Sequence, residues 1–184
     1  MRLTVALTGA SGQIYGVRIL EELNKKEVET YLIISRAAEI TLSVETDTTL
    51  DYLQSLVKEF FRNEDIAAPI SSGSFENDGM IICPCSMKTA SSIAYGITDT
   101  LISRAADVTL KEGRKLLLLV RETPLHSGHL ETLLKLSRMG AVVMPPVPAF
   151  YTKPLTVDDI VMQTVAGVLE KFNIRIERKR WEGL

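Results

Sequence analysis

Two short polar clusters carry the side chains best suited to chemistry: Cys83 to Thr89, reading CPCSMKT, and Arg121 to His126, reading RETPLH. Ser86, Lys88 and Thr89 bring two hydroxyls and a cation together beside Met87, a set that suits a single phosphate or the polar edge of a flavin. The same residues would also serve as a plain helix cap with an exposed lysine. Arg121 and Glu122 put a base beside an acid, which makes either a surface ion pair or a proton donor held in place. Their position after an apolar run favours the proton donor. In a partly dry pocket, desolvation raises a glutamate's pKa and a neighbouring arginine lowers it, so the group can be tuned for proton transfer.

These clusters need a frame that turns them toward one ligand. Each follows an apolar run, as do TGASG (Thr8 to Gly12) after LTVAL and SRAAE (Ser35 to Glu39) after TYLII. If the runs are parallel strands, all four clusters end at one rim, where loops lead into helix N-termini that favour negative charge. Gly9, Ala10, Ser11, Ser35, Ser86 to Thr89, Arg121 and Glu122 then surround one anionic, cofactor-sized ligand. The patterning predicts strands ending at Thr8 and over Thr30–Ile34, Met80–Cys83, Lys115–Val120 and Ala141–Met144. Helices are predicted over Ile14–Lys25, Ala37–Ser43, Leu50–Phe61, Met87–Tyr95, Leu101–Glu112 and His129–Met139. The alternation describes an α/β fold with one doubly wound, mostly parallel sheet. After MPPVPAFYTKP, apolar residues from Val157 to Phe172 recur at helical spacing, with Thr156 placed to cap and Asp158 and Asp159 in the first turn. This is a final docking helix followed by a tail.

A chain of 184 residues without an internal linker reads as a single domain spanning residues 1–184. Its formal charge of −2 gives no footprint for nucleic acid, and the basic tail residues Arg175, Arg178, Lys179 and Arg180 alternate with Glu177 and Glu182, which suits a solvated or subunit-facing tail. Neither a signal peptide nor a membrane-length apolar run is present, so a cytoplasmic location is expected. Cys83 and Cys85 are too close for an unstrained disulfide and too few for a structural zinc, and read as small apolar residues near a loop. His126 and His129 have a spacing that could hold a metal, but no third ligand accompanies them, so capping or packing is the expected role. The glycine loop also resembles the start of short-chain dehydrogenases. Against that, the next glycine is Gly16, Ser35-Arg36 replaces an acidic ribose-binding residue, and no Tyr-x-x-x-Lys pair occurs. Tyr151, with Phe150 and Lys153, offers either a face for an organic phosphate or an interface anchor.

Taken in order, TGASGQIYGVR, SVETD, ISSGSF, PCSMKT, RAADVTLKE, RETPLH and MPPVPAFY resemble the UbiX-type flavin prenyltransferases from about Leu3 to Phe172. The resemblance implies a flavodoxin-like Rossmann three-layer fold that binds FMN and needs no metal. It implies transfer of a dimethylallyl group from dimethylallyl phosphate to N5 and C6 of reduced FMN, yielding prenylated FMN for a UbiD-type decarboxylase. By resemblance Gly9, Ala10, Ser11, Ser35, Ser86, Met87, Lys88, Thr89 and Arg121 bind FMN. Arg104, Lys111 and Tyr151 face the prenyl phosphate, and Ser11, Glu45 and Glu122 lie around the reacting centre, with Glu122 the main proton-transfer residue. The family forms homo-oligomers, typically dodecamers, with sites at subunit contacts. One departure stands out: where the family places an arginine or lysine on the last helix, this chain has Gly167. Lys171, a helical turn further on, either reaches back as a stand-in or snorkels to solvent. Two other readings remain at this stage, a flavin-dependent decarboxylase of the peptidyl-cysteine type and a non-catalytic FMN carrier.

Overall fold

In the computed structural model, residues 1–181 and 183 are described; Glu182 and Leu184 lie outside them. Six strands form one sheet: β1 (Arg2–Leu7), β2 (Glu29–Ile34), β3 (Glu59–Arg62), β4 (Gly79–Cys85), β5 (Lys115–Val120) and β6 (Val142–Val143). Their order is β3-β2-β1-β4-β5-β6, and every neighbouring pair is parallel. Without the short edge strand β3, the remaining order is that of the flavodoxin-like sheet, with its switch point between β1 and β4.

The strands read as nearly unbroken apolar runs because the sheet is covered on both faces. Leu3, Val5 and Leu7 of β1 enter one core with Leu117 and Leu119, while Ala6 enters the other with Leu116 and Leu118. Helices α1 (Gln13–Lys25), α2 (Arg36–Glu45), α3 (Leu50–Ser55) and α7 (Val157–Glu170) supply the first core. Helices α4 (Met87–Ala94), α5 (Leu101–Lys111) and α6 (Ser127–Arg138) supply the second. In a regular strand Cys83 and Cys85 would share a face. A register shift between Ile82 and Cys85 instead sends Cys83 to the first core and Cys85 to the second.

The predicted helix over Leu50–Phe61 is corrected. α3 stops at Ser55, and Glu59–Arg62 pairs with Tyr31–Ile34 as β3. Phe60 packs on the first core and Phe61 is buried in the second, the alternation of a strand that uses both faces. At the other end, Thr156 and Asp159 exchange side-chain-to-amide bonds of 3.1 and 2.8 Å, a capping box that starts α7. Arg18 pairs with Asp158 at 2.9 Å and ties α7 to α1. No helix of the described residues is long and apolar enough to cross a membrane.

Candidate active site

The glycine loop is held from beneath and closed from the side. Gln13 is fully buried, and its amide donates to the carbonyls of Thr8 and Ala10 at 2.8 and 2.9 Å. The Thr8 hydroxyl donates to the Pro84 carbonyl and accepts from the Ser86 amide, both at 2.8 Å, which locks the first cluster to the third across the switch point. A Cβ at Gly9 would lie 2.5 Å from the Cβ of Ala37, so only glycine lets this loop press on the start of α2. Gly12 takes the left-handed conformation at φ 101° and opens α1.

The amides of Gly12 and Gln13, the donors a ligand would seek at the start of α1, are already taken. Glu45, the last residue of α2, accepts from them at 2.8 and 2.9 Å. Partial burial opposes ionisation of Glu45, but hydrogen bonds from the Ser11 hydroxyl and the two amides, with the charge of Arg121, outweigh it and leave its pKa lowered. A dinucleotide would place its pyrophosphate at this helix N-terminus. Here the position is filled by the chain's own carboxylate, which moves any ligand phosphate elsewhere.

The place left for it is between α2 and α4. Ser35 caps α2 by accepting from the Ala38 amide at 3.1 Å. Ser86 caps α4 by accepting from the Thr89 amide at 3.3 Å and donates to the Thr89 hydroxyl at 3.1 Å. Gly9, Ser35, Ser86, Lys88 and Thr89 line one cleft of about 430 Å³ at the carboxyl ends of the strands. Two helix N-termini, three hydroxyls and a lysine make a donor set that fits the phosphate of FMN. Met87 is buried beneath, so its side chain packs and only its backbone can meet a ligand. Sequence reasoning missed Asn63, Asp99, Thr100 and Ser103, which line the same cleft. Asn63 follows β3 and accepts from the Ile102 amide at 2.9 Å, so it came with the strand hidden in a helical pattern.

Arg121 reaches the rim through its amide, which donates to the Cys85 carbonyl at 3.1 Å. Glu122 beside it is exposed and accepts from the next amide, that of Thr123, at 3.0 Å. The partly dry pocket expected around Glu122 is therefore not formed by one chain. His126 caps α6, accepting from the His129 amide at 3.4 Å, with the two rings 3.6 Å apart. This is the capping role, and α6 starts two residues earlier than the pattern predicts.

The residues assigned to the prenyl phosphate divide between the two faces of the sheet. Arg104 and Lys111 lie on α5; Arg104 donates to the Ser71 carbonyl at 3.1 Å and pairs with Asp107, while Lys111 pairs with Glu112 at 3.1 Å. Tyr151 lies in the turn Phe150–Thr152 before α7, half exposed, its ring edge-on to Trp181 at 5.8 Å. The Tyr151 cavity and the FMN-sized cleft share no lining residue in one chain. Gly167 is buried on α7, and the polar group over it is the Arg178 guanidinium, whose Nη1 lies 3.0 Å from where a Cβ would stand. Lys171, the candidate stand-in, has an exposed side chain, and its carbonyl is held by the Lys115 ammonium at the amino end of β5.

A family model described as Flavoprotein matches residues 1–171. The flavin prenyltransferase UbiX of Archaeoglobus fulgidus is 55% identical over 181 residues, covering 98% of this chain and all of that one. A dodecameric FMN-dependent UbiX-like decarboxylase from Escherichia coli O157:H7 superimposes with TM-score 0.97 at 49% identity over the full length of both chains. AnUbiX, solved in complex with FMN and dimethylallyl pyrophosphate, superimposes with TM-score 0.94 at 45% identity over 98% of each chain.

Proposed function

This chain belongs to the UbiX-type flavin prenyltransferase family, and we propose that it moves a dimethylallyl group from dimethylallyl phosphate onto N5 and C6 of reduced FMN. The product, prenylated FMN, would be handed to a UbiD-type decarboxylase. The observation that carries this reading is the cleft shared by Gly9, Ser35, Ser86, Lys88 and Thr89, with the neighbouring helix N-terminus already closed by Glu45. That pairing suits a mononucleotide and excludes the pyrophosphate position of a dinucleotide fold.

When bound, reduced FMN supplies the nucleophilic ring edge. The rest falls to the protein. Ser35, Ser86 and Thr89 would hold the flavin phosphate, and the Glu45–Ser11 bond fixes the glycine loop beside that cleft. As the allylic C–O bond breaks, the electron pair leaves with the donor phosphate, and fixed cations stabilise the charge that develops there. Of the two ring hydrogens displaced at N5 and C6, one would be taken up by the allyl double bond as it is consumed, and Glu122 would pass the other to the leaving phosphate, while apolar walls keep water from the allyl fragment.

One chain cannot make this site. Arg104 and Lys111 belong to the α5 layer and Tyr151 to the loop before α7, so the reading requires a homo-oligomer in which neighbouring copies bring them together. A dodecamer, as reported for the Escherichia coli relative, would do so. The proposal includes a single FMN-binding domain acting in the cytoplasm. Release of inorganic phosphate from dimethylallyl phosphate under anaerobic conditions tests it. Release should require reduced FMN and cease with oxidised FMN; release that is indifferent to flavin would refute the reading.

A further inference from the structure

The C-terminal segment after α7 does more than trail into solvent. Phe172 and Ile174 are buried, Ile176 packs beside them, and the residues between are exposed, so the segment docks with every second side chain inward. Arg178 is the next inward position. Its side chain is only 25% exposed, and it lies across Gly167 between α7 and Met144.

A glycine inside a helix costs roughly 0.5–1 kcal/mol relative to alanine, so its presence at position 167 calls for a local reason. A Cβ there would stand 3.0 Å from the Arg178 Nη1 and 3.1 Å from the Met144 Cε, closer than a side chain is ordinarily tolerated. Even alanine would make the guanidinium and the Met144 methyl give way by a few tenths of an ångström, and a long side chain would take the guanidinium's place. Arg178 Nη2 is held by Glu170 at 2.6 Å, while its Nε is buried with no hydrogen-bond partner among the described residues. A buried N–H donor left unused is costly unless something completes it. The same guanidinium borders an opening of about 430 Å³ lined by Tyr151, Lys153, Lys179 and Arg180. Glu170 is shared between Arg178 and Arg180, so one carboxylate answers two guanidinium groups. Glu177 and Asp159 face the adjoining cavity.

We propose that Arg178, threaded over Gly167 by the docked tail, is the cation that this chain offers to the phosphate of the prenyl donor, alongside Tyr151. The assignment rests on the prenyl-transfer reading above. The cation is carried by a different element from the one the family uses, and Gly167 and Arg178 are a coupled pair: a long side chain at 167 and the arginine at 178 compete for one space.

The test uses the full-length protein loaded with reduced FMN. Arg178→Met is expected to raise the KM for dimethylallyl phosphate about tenfold, equivalent to about 1.4 kcal/mol, with FMN affinity unchanged. Arg178→Lys should recover part of the loss, because charge is restored without the planar fork. Gly167→Arg added to Arg178→Met should recover more, and Arg175→Met, which removes an exposed charge three residues away, should change nothing. A donor KM unchanged in Arg178→Met, or a fall in FMN affinity equal to the loss for the donor in both Arg178→Met and Arg178→Gln, would overturn the assignment in favour of a structural brace. A wild-type protein that leaves FMN unprenylated would instead refute the reaction itself, so the two failures are distinct.

Discussion

The Glu45 carboxylate lies 2.8 Å from the amide of Gly12 and seals the N-terminus of α1 from within the chain. The site is thereby divided before any ligand arrives: α1 is closed by an acid, and α2 and α4 stay open to one. The protein should therefore bind FMN one per chain and show no comparable affinity for NAD or NADP, which calorimetry with each nucleotide will measure.

Glu45→Gln keeps the shape and loses the charge, and should cost about 1 kcal/mol of stability at neutral pH after allowance for solvent. The pKa of Glu45 is lowered in the folded chain, so its contribution is complete above the ordinary glutamate value near ~4.3 and fades as the pH falls through the lower folded value. Thermal melts of wild type and Glu45→Gln should differ at neutral pH and converge on acidification below that range. A gap that persists at the acid end would assign the effect to packing.

Glu122→Gln should retain FMN and lose roughly 100-fold to 10,000-fold in prenyl transfer, the usual worth of a positioned proton donor. Single-turnover rates with bound flavin decide it. An undiminished rate would return Glu122 to a structural role.

Much of this was legible in the sequence. Five strands stood out because a sheet covered on both faces needs apolar runs that end at polar rims, and the TGASG, SRAAE and CSMKT clusters fell on those rims as expected. β3 did not, because Leu50, Leu53, Val57 and Phe60 keep helical spacing up to a strand of only four residues. Asn63 was lost with it. The alternating charges of the tail read as a solvated or subunit-facing segment; the alternation of Phe172, Ile174 and Ile176 with polar residues is the signal that the segment docks and that Arg178 turns inward. The surroundings of Glu122 could not be read at all, since no single chain provides them.

Because α5 and the Tyr151 loop sit on opposite faces, Lys111→Ala and Tyr151→Phe should each depress transfer severely as pure oligomers yet complement one another in mixed ones. Co-expressed variants carrying different tags, purified as mixed assemblies, should recover a measurable fraction of wild-type activity. No recovery in confirmed mixtures would contradict a site shared between copies.

Cys83 and Cys85 take no part in the chemistry. Burial pushes the Cys85 thiol up to about 12, with a backbone hydrogen bond from Ala90 pulling the other way, and burial likewise raises Cys83. Both stay protonated at neutral and mildly alkaline pH and should resist a thiol reagent until the protein unfolds. Rapid labelling of the native protein at pH 8 would contradict their burial.

The most direct measurement is the mass of the flavin recovered after anaerobic incubation of the protein with reduced FMN and dimethylallyl phosphate. The proposed reaction requires a gain of one dimethylallyl unit, absent when the protein or the donor is omitted and sharply reduced with Glu122→Gln. FMN recovered at its starting mass from protein shown to bind both ligands would contradict the account.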